Sequence, residues 1–135
     1  MIELHGWVTV RETYKAAMDE EEQIDLIVQK IQDIIESLHW FKPTIKAMNG
    51  EYFLEFTLYS NRKDSRSREV FELYSRIGEL APGSYGLIYL YDDEDVEGRE
   101  NRFQVFSLAR GIVEEREDTF LSPVIPMIED RGEIR

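Results

Sequence analysis

Residues 45–59 read Ile45-Lys46-Ala47-Met48-Asn49-Gly50-Glu51-Tyr52-Phe53-Leu54-Glu55-Phe56-Thr57-Leu58-Tyr59. Asn49-Gly50 between two apolar runs is a strong short-range hairpin signal, because both residues tolerate the positive φ that a tight two-residue turn demands. In the longer arm Tyr52, Leu54, Phe56 and Leu58 recur with period two and therefore share one face of a strand. A hairpin with one apolar face needs further strands beside it and a layer packed on that face.

Helical patterns on either side of the hairpin can provide that layer. Upstream, Asp19 stands three residues before Glu22 and opens an acidic first turn, which complements the positive end of a helix dipole. From there Ile24, Ile27, Val28, Ile31, Ile34, Ile35 and Leu38 follow i, i+3, i+4, i+7 spacing, leaving Asp25, Lys30, Gln32 and Asp33 to water. Pro43 prevents continuation. Downstream, the polar stretch Ser60 to Ser65 leads into Val70, Phe71, Leu73, Tyr74, Ile77 and Leu80, again at helical spacing and ended by Pro82-Gly83.

The remaining segments read as strands. In Ile2 to Val10 the apolar side holds Ile2, Leu4, Val8 and Val10, and the other side holds Glu3, His5, Trp7 and Thr9. Tyr85 to Tyr91 and Phe103 to Arg110 are β-rich runs joined by the acidic connector Asp92 to Gly98, which suits an exposed loop between antiparallel neighbours. Gly111 breaks the last run. Ile112 to Thr119 extends it or pairs as a short strand, Phe120 to Pro126 reads as extended, and Arg131 to Arg135 frays. The order β-α-β-β-α-β-β predicts an α+β fold with a split βαβ arrangement: a mainly antiparallel sheet, ferredoxin-like with an added hairpin strand, carrying two helices on one face.

With 135 residues, 42% of them apolar and 12% aromatic, the chain is expected to fold as one domain spanning residues 1–135. No cysteine is present, so disulfides, thiolate metal sites and cysteine nucleophiles are excluded. The amino terminus lacks the pattern of a signal peptide, and no apolar run approaches the ~18 residues of a membrane span, so a soluble cytoplasmic protein is expected. A net charge of −12 repels a phosphate backbone and favours either simple solubility or a basic partner. Neither nucleic acid nor a membrane is an expected partner.

Catalytic arrangements fail on residue supply. His5 and His39 are the two histidines, no Gly-x-Ser-x-Gly occurs, and neither histidine falls in a metal-binding spacing. Pro82-Gly83-Ser84-Tyr85-Gly86 lacks the lysine and following helix of a phosphate loop and reads as a turn. Asp93, Asp95, Glu97 and Gly98 occupy the first, third, fifth and sixth places of an EF-hand-like loop, but the twelfth place is Gln104 and the flanks read as strands. No cofactor, metal site or catalytic residue is therefore expected.

The candidate binding features are the acidic connector and the aromatic residues. Asp92, Asp93, Glu94, Asp95 and Glu97 concentrate negative potential that would steer a basic partner, or simply solvate a loop. Trp7 is an interface anchor or packs under another segment. Tyr85, Tyr89 and Tyr91 share a strand face that lines a partner surface or forms a second face of the core. Arg110 pairs with carboxylates of the acidic loop or with Glu114, or else holds an anionic group.

Four stretches taken together resemble the family of bacterial polymorphic-toxin immunity proteins numbered seven. They are His5-Gly6-Trp7-Val8-Thr9-Val10-Arg11-Glu12; Ala81-Pro82-Gly83-Ser84-Tyr85-Gly86-Leu87 followed by Asp92-Asp93-Glu94-Asp95; Leu108-Ala109-Arg110-Gly111; and Phe120-Leu121-Ser122-Pro123. The resemblance spans nearly the whole chain. It implies a protein that binds a cognate toxin in the cytoplasm and blocks it, and toxins paired with such families are often nucleases, whose basic clefts suit an acidic inhibitor. On residues alone two other readings stay open: a carboxylate-based or metal-dependent hydrolase using the acidic loop and Arg110, and a self-associating module whose tyrosines fill a two-fold interface. The oligomeric state is open between monomer and homodimer.

Overall fold

The period-two segment Ile2–Val10 becomes the central strand β1, with β3 (Glu51–Ser60) antiparallel on one side and β4 (Tyr85–Asp92) antiparallel on the other. A computed structural model describes residues 2–13, 21–39, 41–60, 65–92 and 103–118 of the chain. Beyond β3 lies β2 (Thr44–Met48), and beyond β4 lie β5 (Gln104–Ala109) and β6 (Ile112–Arg116), giving a six-stranded antiparallel sheet in the order β2-β3-β1-β4-β5-β6. Helices α1 (Glu21–Ser37) and α2 (Ser65–Leu80) connect β1 to β2 and β3 to β4. Each of these crossovers leaves room for one strand between its ends, which is the expected split βαβ arrangement.

The alternation read from the sequence sorts the two faces. Ile2, Leu4, Val8 and Val10 are buried with Leu54, Ile88, Leu90 and Leu108, against Ile31 and Ile35 of α1 and Val70, Leu73, Tyr74 and Ile77 of α2. Both helices thus cover the same face. Two tight turns hold the outer strands in register. Asn49 and Gly50 have φ of 52° and 79°, and Arg110 and Gly111 have φ of 49° and 80°, the positive pair that a two-residue hairpin turn requires. The second turn makes β6 a paired strand, so Ile112 to Arg116 adds an eighth element to the expected order. Arg110 itself bears the left-handed conformation, and only the following glycine adopts it without strain.

The helix ends have physical causes. α1 stops at Ser37, where the Lys42 ammonium donates to the carbonyl oxygens of Ile35 (3.3 Å) and Glu36 (3.1 Å) just ahead of Pro43, satisfying orphan carbonyls at the negative end of the dipole. α2 begins five residues before Val70, its first apolar position, because a polar first turn is marked by capping chemistry rather than by periodicity. The expected Asp19 cap, the extended Phe120 to Pro126 segment and the fraying Arg131 to Arg135 lie outside the described residues.

The centre of the sheet is unusually bare. Gly6 faces the helices between Leu4 and Val8, and a Cβ there would stand 2.5 Å from the Tyr74 hydroxyl and closer still to the Phe56 ring. One strand over, a Cβ on Gly86 would run into the Trp7 carbonyl oxygen. The fully buried Tyr74 uses this space: its hydroxyl donates to the carbonyls of Leu87 (3.0 Å) and Trp7 (3.3 Å). Burial pushes its pKa well above the ordinary tyrosine value, so it stays a neutral donor.

Two substitutions test this arrangement by chemical denaturation. Gly6→Ala should lower stability by about 1–3 kcal/mol through overpacking. Tyr74→Phe, which removes the bond and keeps the ring, should cost about 1 kcal/mol.

Candidate partner-binding face

Residues of β1 that alternate with the core face point to the sheet surface that neither described helix covers. The register places them in cross-strand rows, the unit through which sheet side chains interact. One row runs Tyr59, Glu3, Tyr91; the next Thr57, His5, Tyr89, Val105, Arg116; the next Thr44, Glu55, Trp7, Leu87, Ser107, Glu114; and the next Lys46, Phe53, Thr9, Tyr85. Thus four of the expected residues, Trp7, Tyr85, Tyr89 and Tyr91, share one face.

Trp7 is 42% exposed and Tyr85 41%, so Trp7 sits at the surface, with its ring edge-on to Tyr85 at 6.1 Å between centroids. Tyr89 and Tyr91 are half-buried and pack against Phe103 at 5.9 and 5.5 Å. This is an aromatic surface layer rather than a second core, and exposed aromatic rings with polar tips are the usual anchors of protein interfaces.

Of the remaining expected residues, Asp92 and Arg110 do not join it. Asp92 ends β4 opposite Ile2, in register with the helix-covered face. Asp93, Glu94, Asp95 and Glu97 lie outside the described residues. Arg110 sits in the β5–β6 turn, beside the start of β4, whereas Asp92 closes the far end of that strand. Glu114, the other partner considered for Arg110, is bound by Arg116 at 2.7 Å.

Several groups on this face were not singled out by the sequence. Glu3 Oε1 accepts from the Tyr59 hydroxyl at 2.5 Å and lies 2.9 Å from His5 Nε2, and His5 Nδ1 is 3.4 Å from Thr57 Oγ1. Arg11 donates to Glu51 at 2.8 Å and lies over the Tyr85 ring at 5.5 Å, and Lys46 pairs with Glu55 at 2.8 Å. The polar side of Ile2 to Val10 already displayed Glu3 and His5. What could not be read was which residues of Glu51 to Ser60 stand opposite them, because register is a property of the pair of strands. A shallow groove of about 480 Å³ opens here, lined by His5, Trp7, Thr44, Glu55, Thr57 and Tyr89.

Carboxylate, imidazole and hydroxyl do follow one another in Glu3, His5 and Thr57, but the last step is at the outer limit of a hydrogen bond. β1 and β3 are interior strands whose amides serve the sheet ladders, so they offer no preorganised pair of N–H donors for an oxyanion. The network reads as a surface polar cluster. Among the described residues no group of three or more His, Asp or Glu is placed to hold a metal ion, and no helix is long and apolar enough to cross a membrane.

The sequence profile described as Immunity protein 7 matches residues 1–130. The chain belongs to the immunity protein 7 family. No curated protein and no solved structure matches it. Family membership implies an immunity protein directed against a toxin, and so a protein partner. In this immunity protein three of the four stretches fall on or beside the sheet: the first runs through the central strand with Trp7, the second enters β4 through Tyr85, and the third forms the β5–β6 turn. The fourth lies outside the described residues.

Partial burial pushes the Glu3 carboxyl upward, but hydrogen bonds from Tyr59 and His5 and the His5 charge outweigh it, and the net shift is below its ordinary value of 4.5. A depressed carboxyl pKa stabilises the fold above the unfolded pKa and loses that contribution as pH falls through the folded one. Urea midpoints of wild type and Glu3→Gln should accordingly differ most above about pH 4.5 while His5 still carries its charge, and converge as pH falls below it.

Proposed function

We propose that this immunity protein binds and neutralises a cognate toxin in the cytoplasm, as one domain, through an acidic and partly aromatic surface, and that it acts by occlusion rather than catalysis. The observation that carries the reading is the family match over residues 1–130. The exposed rings of Trp7, Tyr85 and Tyr59 on a sheet face supply anchors of the kind interfaces use. The net charge of −12 favours a basic partner surface. A nuclease fits this charge, because its substrate cleft must itself be basic to hold a phosphate backbone.

The acidic connector from Asp92 to Glu97 acts in this reading as the steering element, raising the rate of encounter more than the final affinity. Co-expression with the toxin domain encoded beside the gene should restore growth of cells that the toxin alone arrests; continued arrest with the immunity protein present in soluble form contradicts the reading. Replacing Asp92, Asp93, Glu94 and Asp95 together by asparagine should slow association at low salt and converge with wild type at high salt, as stopped-flow measurements would show. An unchanged association rate constant removes the connector from the encounter.

A further inference from the structure

The groove on the open face carries a particular chemistry. Trp7 and Tyr89 contribute aromatic rings, Glu55 a carboxylate, Thr44 and Thr57 hydroxyls, and His5 an imidazole that is turned to the Glu3 carboxylate and the Thr57 hydroxyl. Rings that present negative faces beside a carboxylate form a receptor for a cation, above all for a planar guanidinium, which can stack and donate at once. An anion would meet Glu55 directly and the chain's net charge of −12 beyond it.

The same face already assembles such a site for one of its own cations. Arg11 donates to Glu51 at 2.8 Å while its guanidinium lies 5.5 Å from the centroid of Tyr85, and Tyr85 in turn forms a T-shaped pair with Trp7. In the groove, a carboxylate and a ring are directly cross-strand, Glu55 opposite Trp7. The Glu55 carboxylate is held by Lys46, with side chains 61% and 53% exposed, and a surface pair of that kind contributes little. An incoming arginine, with a fork that a lysine lacks, can displace Lys46 at small cost.

We infer that this groove is the receptor for an arginine side chain presented by the basic surface of the toxin, with Glu55 as its carboxylate partner and Trp7 and Tyr89 as its aromatic walls. The inference rests on the toxin-binding reading for the identity of the partner, but the groove's preference for a guanidinium is testable without it. Recognition then combines a long-range term from the net charge with a short-range contact that discriminates arginine from neutral side chains.

The probe is N-acetyl-arginine amide, compared with its neutral near-isostere N-acetyl-citrulline amide and with N-acetyl-lysine amide, titrated into the full chain and followed by amide and indole NMR. Trp7→Phe assigns the Trp7 indole signal against that of Trp40. Saturable shifts at Trp7, Glu55 and Tyr89 with the arginine probe, weaker shifts with lysine and none with citrulline are expected. Glu55→Gln, an exposed change that leaves the fold intact, should weaken arginine binding about tenfold. Equal shifts with citrulline, no shifts, or shifts confined to other faces would overturn the inference. So would concentration-dependent dimerisation in light scattering that Trp7→Ala abolishes, since a second copy would then fill the groove. Failure of the two readings is distinguishable: protection from the toxin that survives Glu55→Gln and Trp7→Ala removes the groove and leaves immunity standing. Arginine binding without protection does the reverse.

Discussion

Tyr74 reaches the main chain of the two central strands through a gap that only glycine can leave. Its buried hydroxyl bonds to the carbonyls of Trp7 and Leu87, and Gly6 and Gly86 provide the space in which ring, hydroxyl and strands meet. A buried hydroxyl without a partner is costly, so the bond and the absent side chains depend on each other. Phe56 fills the rest of the space, edge-on to both Tyr74 and Phe41. The contact fixes how closely α2 lies over β1 and β4, and with it the depth of the core.

Among the described residues, seating both helices on that face leaves the other face to side chains alone. Ordinarily such a surface would be polar throughout, since an antiparallel sheet covered on one side alternates apolar and polar residues. Here it holds Trp7, Tyr59 and Tyr85 exposed, with carboxylates and bases paired locally between them. Such short-range pairing keeps charge on the face while leaving aromatic area available to a partner. The fold therefore separates two faces: the helix side supplies stability, and the other is the surface proposed for recognition.

Membership of the immunity protein 7 family gives that recognition a direction, toward a toxin. The link from architecture to function runs through β1, whose inward residues build the core while its outward residues, Glu3, His5 and Trp7, organise the open face. A change in register by one residue would exchange the two sets, so the core and the proposed binding face are locked to one strand alignment.

Much of this was legible in local pattern. The alternation of Ile2 to Val10, the helical stripes ending near Leu38 and Leu80, and the Asn49-Gly50 turn announced their elements because periodicity and turn chemistry are properties of neighbouring residues. The Arg110-Gly111 turn was harder to read, since arginine at positive φ is set by the strands on either side rather than by its own preference. The candidate site divides in the same way. Trp7, Tyr85, Tyr89 and Tyr91 could be named from the sequence as one-sided aromatics. That they meet Glu3, His5, Glu55 and Thr57, while Asp92 and Arg110 end at opposite ends of β4 and β5, was decided by strand order and register. Those are fixed by which apolar faces can be buried together across distant parts of the chain, a condition no local window contains.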